Sequence, residues 1–419
     1  MKAVILGAGV VGTATAYYLA KLGWKVEVIE RQPAAGMETS RANGGVIHVS
    51  EVQPWAQPGM PSKILGWLGQ EDAPLLLRKS AIPHMWRWGL DFARNCTAAK
   101  AREHSLTNLR LAILSLKSLQ EIRNEHAINY DVSTAGALKI YTNKASMESA
   151  TALGEEWGKR GLTFQKMSVK ECVEKEPALA EASANLAGGL FFPGEEIGDP
   201  NKFTQGLAQV CANMGVTFHY GTTVEKLIKR QGRIAAVETS KGEFSGDAVV
   251  VAMGSFTPNL LRQVGVRVSI YPVKGITVTV DAAPWAGAPK CAVIDDGRLF
   301  GLVPIGNRLR VSGSAEITGY DSAPSRVRCQ AVVDNVISVF PSFAKCYDPE
   351  KAFFWAGLRP VASSGVPYLG PSAIPNLFVN AGHGHCGWTM GCGSGRVVAS
   401  LVAGRQADID VTGLTPATH

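Results

Sequence analysis

Lys2-Ala-Val-Ile-Leu-Gly7-Ala-Gly9-Val-Val-Gly12 reads as a short apolar strand running straight into a glycine turn. Thr13 to Leu22 continues as a helix, Gly23 ends it, and Trp24 to Glu30 alternates as a second strand. This succession is the start of a βαβ unit. Gly7 allows the tight turn, Gly9 lets a pyrophosphate approach the backbone, and Gly12 lets the helix close on the strand. Val10 and Val11 open the helix, whose free N–H groups and partial positive charge suit phosphate oxygens. Glu30 ends the second strand, 18 residues after Gly12, where a carboxylate can accept hydrogen bonds from ribose hydroxyls. Its charge would repel a 2′-phosphate, although Arg31 beside it pulls the other way.

This turn fits either a flavin or a nicotinamide dinucleotide. The far end of the chain separates them. Gly382-His-Gly-His-Cys-Gly-Trp-Thr-Met390 is a second glycine-rich turn, 370 residues after Gly12, placed between a strand at 376–380 and a helix from about Trp388 to Ala403. A nicotinamide enzyme has little use for it. A reduced flavin carries negative charge on its ring, and a helix N-terminus stabilises that charge. FAD is therefore the expected cofactor. His383, His385, Cys386 and Cys392 also admit a metal reading, but three of them crowd into four residues without the spacing of a zinc site, and no metal is expected.

Outward from these two turns, 419 residues suggest two or three domains at about 150 residues each. Hydrophobic residues make up 46% and charged residues 18%, which excludes a disordered chain. No apolar run reaches the ~18 residues of a membrane span, and no secretion signal is read at the start. The net charge of +7 is dispersed, without the basic tracts of a nucleic-acid binder. It suits anionic substrates or an anionic membrane surface. Eight scattered cysteines without a CxxC pair point to a reducing, cytoplasmic setting.

Strand-rich stretches at 130–142 and 266–315 interrupt doubly wound stretches at 1–45, 201–255 and 376–405. The pattern predicts an α/β fold: a Rossmann-type dinucleotide-binding domain interleaved with a mixed-sheet α+β substrate domain. The expected segments are 1–95, 191–265 and 355–419 for the first, and 96–190 and 266–354 for the second. Residues 101–127 read as one long helix. The segment 54–88 holds four of nine tryptophans (55, 67, 86, 88) and five of 22 prolines. It reads either as a loop packed by its aromatics or as a lid or membrane-facing surface.

Taken together, the two turns with Glu30, Glu38-Thr-Ser-Arg-Ala-Asn-Gly-Gly45 and Ala252-Met-Gly-Ser255 resemble the FAD-dependent D-amino-acid oxidase/glycine oxidase superfamily. Pro54-Trp-Ala-Gln-Pro-Gly-Met-Pro61, Gly198-Asp199, Tyr271-Pro-Val-Lys-Gly275, Trp355-Ala-Gly-Leu-Arg-Pro360 and Gly387-Trp-Thr-Met-Gly-Cys-Gly-Ser-Gly395 are similar to its bacterial D-amino-acid dehydrogenases, in the same order over nearly the whole chain. The resemblance implies oxidation of D-amino acids to 2-oxo acids and ammonia, with electrons passed to a quinone or another acceptor rather than to oxygen. It implies flavin contacts at Ser40, Asn43, Gly44, Val224, Gly254 and Gly384 to Thr389, including Gly387 and Trp388. It makes Arg359 the ligand of the substrate carboxylate and puts Tyr271 near the substrate. After Arg359-Pro360 the chain reads Val361-Ala-Ser-Ser364-Gly where Thr-Pro-Asp-Gly is usual, and the tail after the last helix is short. D-proline- or hydroxyproline-type imino acids, glycine or sarcosine, with oxygen as acceptor, form the alternative substrate reading. A flavin-bearing subunit without catalysis is the other alternative.

The residues support the arginine assignment independently. Arg359 lies in an otherwise apolar Trp-Ala-Gly-Leu-Arg-Pro run, where an unpaired charge is costly. A guanidinium there wants a carboxylate, from substrate or from protein. The flavin carries the redox chemistry, with a hydride passing from Cα to N5, so no Ser-His-Asp arrangement is needed. His383 and His48 are the general-base candidates, and each also reads as a structural hydrogen-bonding residue.

Overall fold

The computed structural model describes residues 1–419 apart from 72, 415 and 417–419. A six-stranded sheet runs in the order Tyr368–Pro371, Leu377–Ala381, Ala248–Val251, Lys2–Leu6, Lys25–Ile29, Thr217–His219. All neighbours are parallel except the first pair. The central strand is buried on both faces. Ala3 and Ile5 point into a core shared with the first helix, Val10–Lys21, and the last, Gly387–Val402. Val4 and Leu6 point into a second core closed by Leu227, Ile234 and Val237. These three come from an antiparallel ribbon of Val224–Arg230, Arg233–Thr239 and Gly242–Phe244. A continuous apolar strand is what two covered faces require. The ribbon is a sheet of its own and does not extend the main one.

The second sheet has nine strands and is mostly antiparallel. Ile270–Asp281 lies between Phe353–Ala362 and Arg308–Ile317, and Ala137–Tyr141 and Gly188–Phe192 lie toward the other edge. Helix Arg326–Val339 packs on its outer face through Cys329, Val332, Val333 and Val336. The two sheets and the helices around them give the expected α/β architecture. Two placements differ from expectation. The long helix, Ala98–Glu125, was assigned to the second domain, but its Leu109, Ala112 and Leu119 enter the core of the first and helix faces helix at Gly393, where a Cβ would lie 2.8 Å from the Ser115 backbone. The Trp355–Arg359 run, assigned to the first domain, is a strand of the second sheet, paired Val273 with Arg359 and Gly275 with Gly357.

The 54–88 segment is more regular than its prolines suggested. Pro61 and Pro83 sit in the first turns of helices Met60–Gly66 and Ile82–Asn95, where a missing N–H costs nothing. Its tryptophans divide. Trp88 is buried against Phe92 and donates to the Val361 carbonyl at 2.9 Å, whereas Trp86 is 53% exposed. Among the described residues no helix is long and apolar enough to cross a membrane.

Candidate active site

A cavity of about 580 Å³ opens between the two sheets, lined by both glycine-rich turns. The first turn is built for close approach. Gly7 has φ +105°, and a Cβ on it would lie 2.5 Å from the Ala252 carbonyl oxygen. A Cβ on Gly12 would lie 2.0 Å from the Gly7 carbonyl oxygen. Gly12 therefore does not line the cavity; it lets the helix sit tight beneath it. Gly9, Val10 and Val11 do line it. The Val10 N–H donates to Ser40 Oγ at 3.2 Å, so Ser40 steadies the start of the helix from across the cavity.

Glu30 lines the cavity and is nearly buried. Its carboxylate accepts from the N–H groups of Ala8, at 2.7 Å, and Gln32, at 2.9 Å. Burial nonetheless pushes its pKa up, against the pull of those two bonds. One lone pair on each oxygen remains for a sugar hydroxyl. Arg31 is not free for a phosphate: it bonds Glu38 at 2.7–2.8 Å and lies over the Phe256 ring at 4.1 Å.

Asn43, Gly44, Val224 and Gly254 line the cavity as well. The Asn43 loop is held in two ways. Its Oδ1 accepts from the Gly45 N–H at 2.9 Å, and its carbonyl accepts from Arg310 at 3.0 Å. Arg310 is buried and is itself paired with Asp199 at 3.4 Å. Sequence reading noted Asp199 but not Arg310.

At the second turn Gly384, Gly387 and Trp388 line the cavity. The Trp388 Nε1–H is buried and, among the described residues, has no hydrogen-bond partner. Thr389 lies behind the wall, its Oγ1 accepting from the His48 N–H at 3.0 Å. His48 is on the wall, with Nδ1 3.6 Å from Glu195. A dinucleotide with a ring system fits these residues: a bare-backbone cradle at one end, an open helix start and an unpartnered indole N–H at the other.

His383 lines the cavity edge but its ring is tied inward. Ser394 Oγ gives its proton to the Met390 carbonyl, so His383 Nε2–H donates to that oxygen, at 2.7 Å. Burial pushes the His383 pKa down to about 3 from 6.5, so it is neutral at working pH. A depressed pKa means that the unfolded chain binds the extra proton. The stabilisation is complete above pH 6.5 and lost progressively as pH falls toward 3. Below pH 6.5 the wild type should lose about 1.4 kcal/mol per pH unit relative to His383→Gln, which keeps a donor to Ser394. Urea titrations of both proteins from pH 7 to 5 measure the difference.

Tyr271 does not reach the cavity. Its ring packs at 5.8 Å on Trp88 in a separate apolar cluster, and it is 7% exposed. The tyrosine expected near the substrate is therefore not among the residues lining this cavity, to which its strand contributes Gly275 to Thr277.

Arg359 does reach the cavity. Its partner strand carries Gly275 two residues beyond Val273, the residue opposite, and a Cβ on Gly275 would fall 2.1 Å from the guanidinium. That gap is the slot the side chain occupies. Nη1 donates to the Ser314 carbonyl at 3.2 Å, and the guanidinium lies 5.8 Å from the Trp55 ring centre. Among the described residues no carboxylate lies within ion-pair distance of it. Burial without a counter-charge pulls its pKa down to about 10.

Three residues on the wall, Lys139, Glu51 and Asp296, were not singled out from sequence. Lys139 bonds Glu51 at 2.7 Å and Asp296 at 2.9 Å, and burial fails to lower its pKa because those carboxylates push it up. A lysine in the apolar alternation Ala-Leu-Lys-Ile-Tyr was the available signal. His385, read from sequence as a possible metal ligand and within the flavin-contact turn, also lines the cavity. Among the described residues no group of three or more His, Cys, Asp or Glu side chains is arranged to hold a metal ion.

The family model for FAD dependent oxidoreductases, DAO, matches residues 2–401. The chain belongs to this family. It is an oxidoreductase, and FAD is its cofactor. A D-amino acid dehydrogenase of Paramagnetospirillum magneticum is 43% identical over 415 residues, covering 99% of this chain and 98% of that protein. One from Xanthobacter autotrophicus is 41% identical over 420 residues, covering 100% and 99%. Among solved structures, glycine oxidase from Geobacillus kaustophilus superposes with a TM-score of 0.78 at 24% identity over 100% of this chain and 98% of that one. L-proline dehydrogenase from P. horikoshii gives 0.78 at 18% identity, over 99% and 96%. At those identities the structures share the fold.

Proposed function

We propose that the chain oxidises D-amino acids to 2-oxo acids and ammonia, and passes the electrons to an acceptor other than oxygen. The observation that carries this reading is the guanidinium of Arg359, half-buried, facing the cofactor cavity and, among the described residues, with no carboxylate within ion-pair distance. A desolvated cation kept unpaired is a site for an anion, and a planar fork suits a carboxylate. The full-length relatives named D-amino acid dehydrogenase supply the substrate class.

When bound, FAD would supply the two-electron oxidation of the substrate. The turn from Gly7 to Gly12 with Ser40 would hold the pyrophosphate, and Glu30 the adenosine ribose. Asn43, Gly44, Val224 and Gly254 would contact the rest of the cofactor, and Gly384, Gly387 and Trp388 would serve its ring system. The start of helix Gly387–Val402 places partial positive charge there. Arg359 fixes the carboxylate, which removes rotational freedom that free substrate would have to lose in the transition state. His383 stays neutral and structural. The test is dye-linked turnover of the purified chain on a panel of D- and L-amino acids and cyclic imino acids. Turnover confined to D-amino acids supports the reading; turnover of only imino acids, or of none, overturns it.

The finer partner in this reading is a lipid surface at the inner face of the cell membrane. Ile82, Trp86 and Leu90 are 42–53% exposed and repeat every four residues, a stripe along one helix. Leu65 and Leu68 of the same segment are also exposed, as are Lys63, Lys79 and Arg87. Trp86→Ser and Leu90→Ser should each weaken co-sedimentation with anionic vesicles by about tenfold, because partial burial of a large apolar side chain contributes about 1.4 kcal/mol. Dye-linked activity should not change. Unchanged sedimentation, or none by the wild type, would show that the stripe serves something else.

A further inference from the structure

We propose that His385 holds the amino group of the substrate, its Nδ1 accepting a hydrogen bond from the amine nitrogen while Arg359 holds the carboxylate. This rests on the reading of Arg359 above and extends it to the second end of the substrate. The two histidines of Gly382-His-Gly-His385 look alike in sequence and are used oppositely. His383 is 4% exposed and tied to Ser394. His385 is open, and what it opens to is the cavity.

Its tautomer is fixed by its neighbour. Nε2 lies 2.9 Å from the backbone carbonyl of Glu51. A carbonyl only accepts, so Nε2 carries the proton and Nδ1 presents a lone pair. Among the described residues no protein group bonds Nδ1. The Trp55 indole covers one face of the imidazole at 5.4 Å and 15°, close to parallel. The same indole lies against the Arg359 guanidinium. One rigid ring thus sets both the fork and the acceptor, and both face one cavity. The two groups they would receive are attached to the same carbon atom.

The electrostatics agree. The protein packed around the ring first, and the charge of Arg359 after it, push the His385 pKa down to about 4, although the ring keeps an open side toward the cavity. The ring is therefore neutral where the enzyme works. A neutral acceptor does not compete with Arg359 for the carboxylate, as an imidazolium would. Glu51 is the other acceptor on this wall, but Lys139 holds its carboxylate at 2.7 Å.

The test needs no turnover. 2-Aminoisobutyrate has both an amine and a carboxylate but no Cα hydrogen, so it can bind and cannot be oxidised. Isobutyrate is the same acid without the amine. Each is titrated into the FAD-loaded protein, and binding is read from the shift in flavin absorbance. The wild type should prefer 2-aminoisobutyrate. His385→Phe keeps an aromatic ring against Trp55 and has no acceptor. It should lose about ten- to a hundredfold in affinity for 2-aminoisobutyrate, the loss expected for a hydrogen bond to a charged group, and should bind isobutyrate as before. His385→Asn restores an acceptor and should recover most of the preference. Arg359→Ala should weaken both ligands. Equal losses of both acids in His385→Phe, no loss of either, or no recovery in His385→Asn would overturn the assignment of His385. Indifference of both acids to Arg359→Ala would instead overturn the carboxylate reading beneath it.

Discussion

Replacing Arg359 by alanine should lower kcat/KM for a D-amino acid by roughly 30-fold to a few thousand-fold. The range follows from the cost of removing one partner of a desolvated charge pair, about 2–5 kcal/mol, at about 1.4 kcal/mol per tenfold. Arg359 is suited to give a large effect because the protein does not already neutralise it: its recorded bond is to the Ser314 carbonyl, which leaves the positive charge for the substrate. Arg359→Lys keeps the charge but loses the two-point grip, and it leaves part of the slot beside Gly275 empty. It should fall between the wild type and alanine. Flavin absorbance should survive in both variants. The decarboxylated amine of the same substrate should be poor with the wild type and should lose much less in the variants. Steady-state kinetics of the acid and the amine on all three proteins measure this. An equal loss on acid and amine, or a colourless Arg359→Ala, would make the residue structural.

The second large effect is expected at Gly12. An alanine methyl there would sit 2.0 Å from the Gly7 carbonyl oxygen, which is backbone and cannot swing aside. Either the helix moves off the strand or the turn opens, and both spread the groups that grip the pyrophosphate. Overpacking against side chains costs about 1–3 kcal/mol, and backbone yields less readily, so FAD affinity should fall by at least about tenfold. Gly12→Ala should purify with little flavin. Gly66→Ala, where a methyl meets nothing within 4 Å, should retain it. The flavin-to-protein absorbance ratio of the two preparations decides the matter. Full flavin content in Gly12→Ala would mean that the turn is looser than the distances imply.

The parts of the fold carried by local chemistry were legible in the sequence. The first strand is apolar at every position from Ala3 to Leu6 because both its faces are covered, and the glycines after it have single steric purposes. The second sheet was harder. Phe353–Ala362 contains Gly357, Arg359 and Pro360, which weaken any strand pattern, and its identity comes from pairing with Ile270–Asp281 about 80 residues away. Helix Lys144–Gly158 buries only Met147, Gly154 and Trp157, too few for an apolar stripe to stand out. The site divided in the same way. Glycines and Glu30 act through backbone geometry that spacing reveals. Tyr271, His383 and His385 depend on which way a side chain turns once two sheets meet, and no local pattern encodes that. Resemblance placed Tyr271 near the substrate; its ring packs on Trp88 and is not among the residues lining this cavity. Lys139 and Arg310 hold the walls from distant strands, each through acids far off in sequence.

The central claim is that this cavity oxidises an amino acid whose carboxylate is held by Arg359. It is tested most directly by mixing the FAD-loaded chain, without oxygen or dye, with one D-amino acid, its L-enantiomer and its decarboxylated amine, and watching the flavin absorbance. The account predicts bleaching by the D-amino acid alone in the wild type, strongly slowed in Arg359→Ala. Bleaching by the amine as fast as by the acid, or at the same rate in Arg359→Ala, would contradict it.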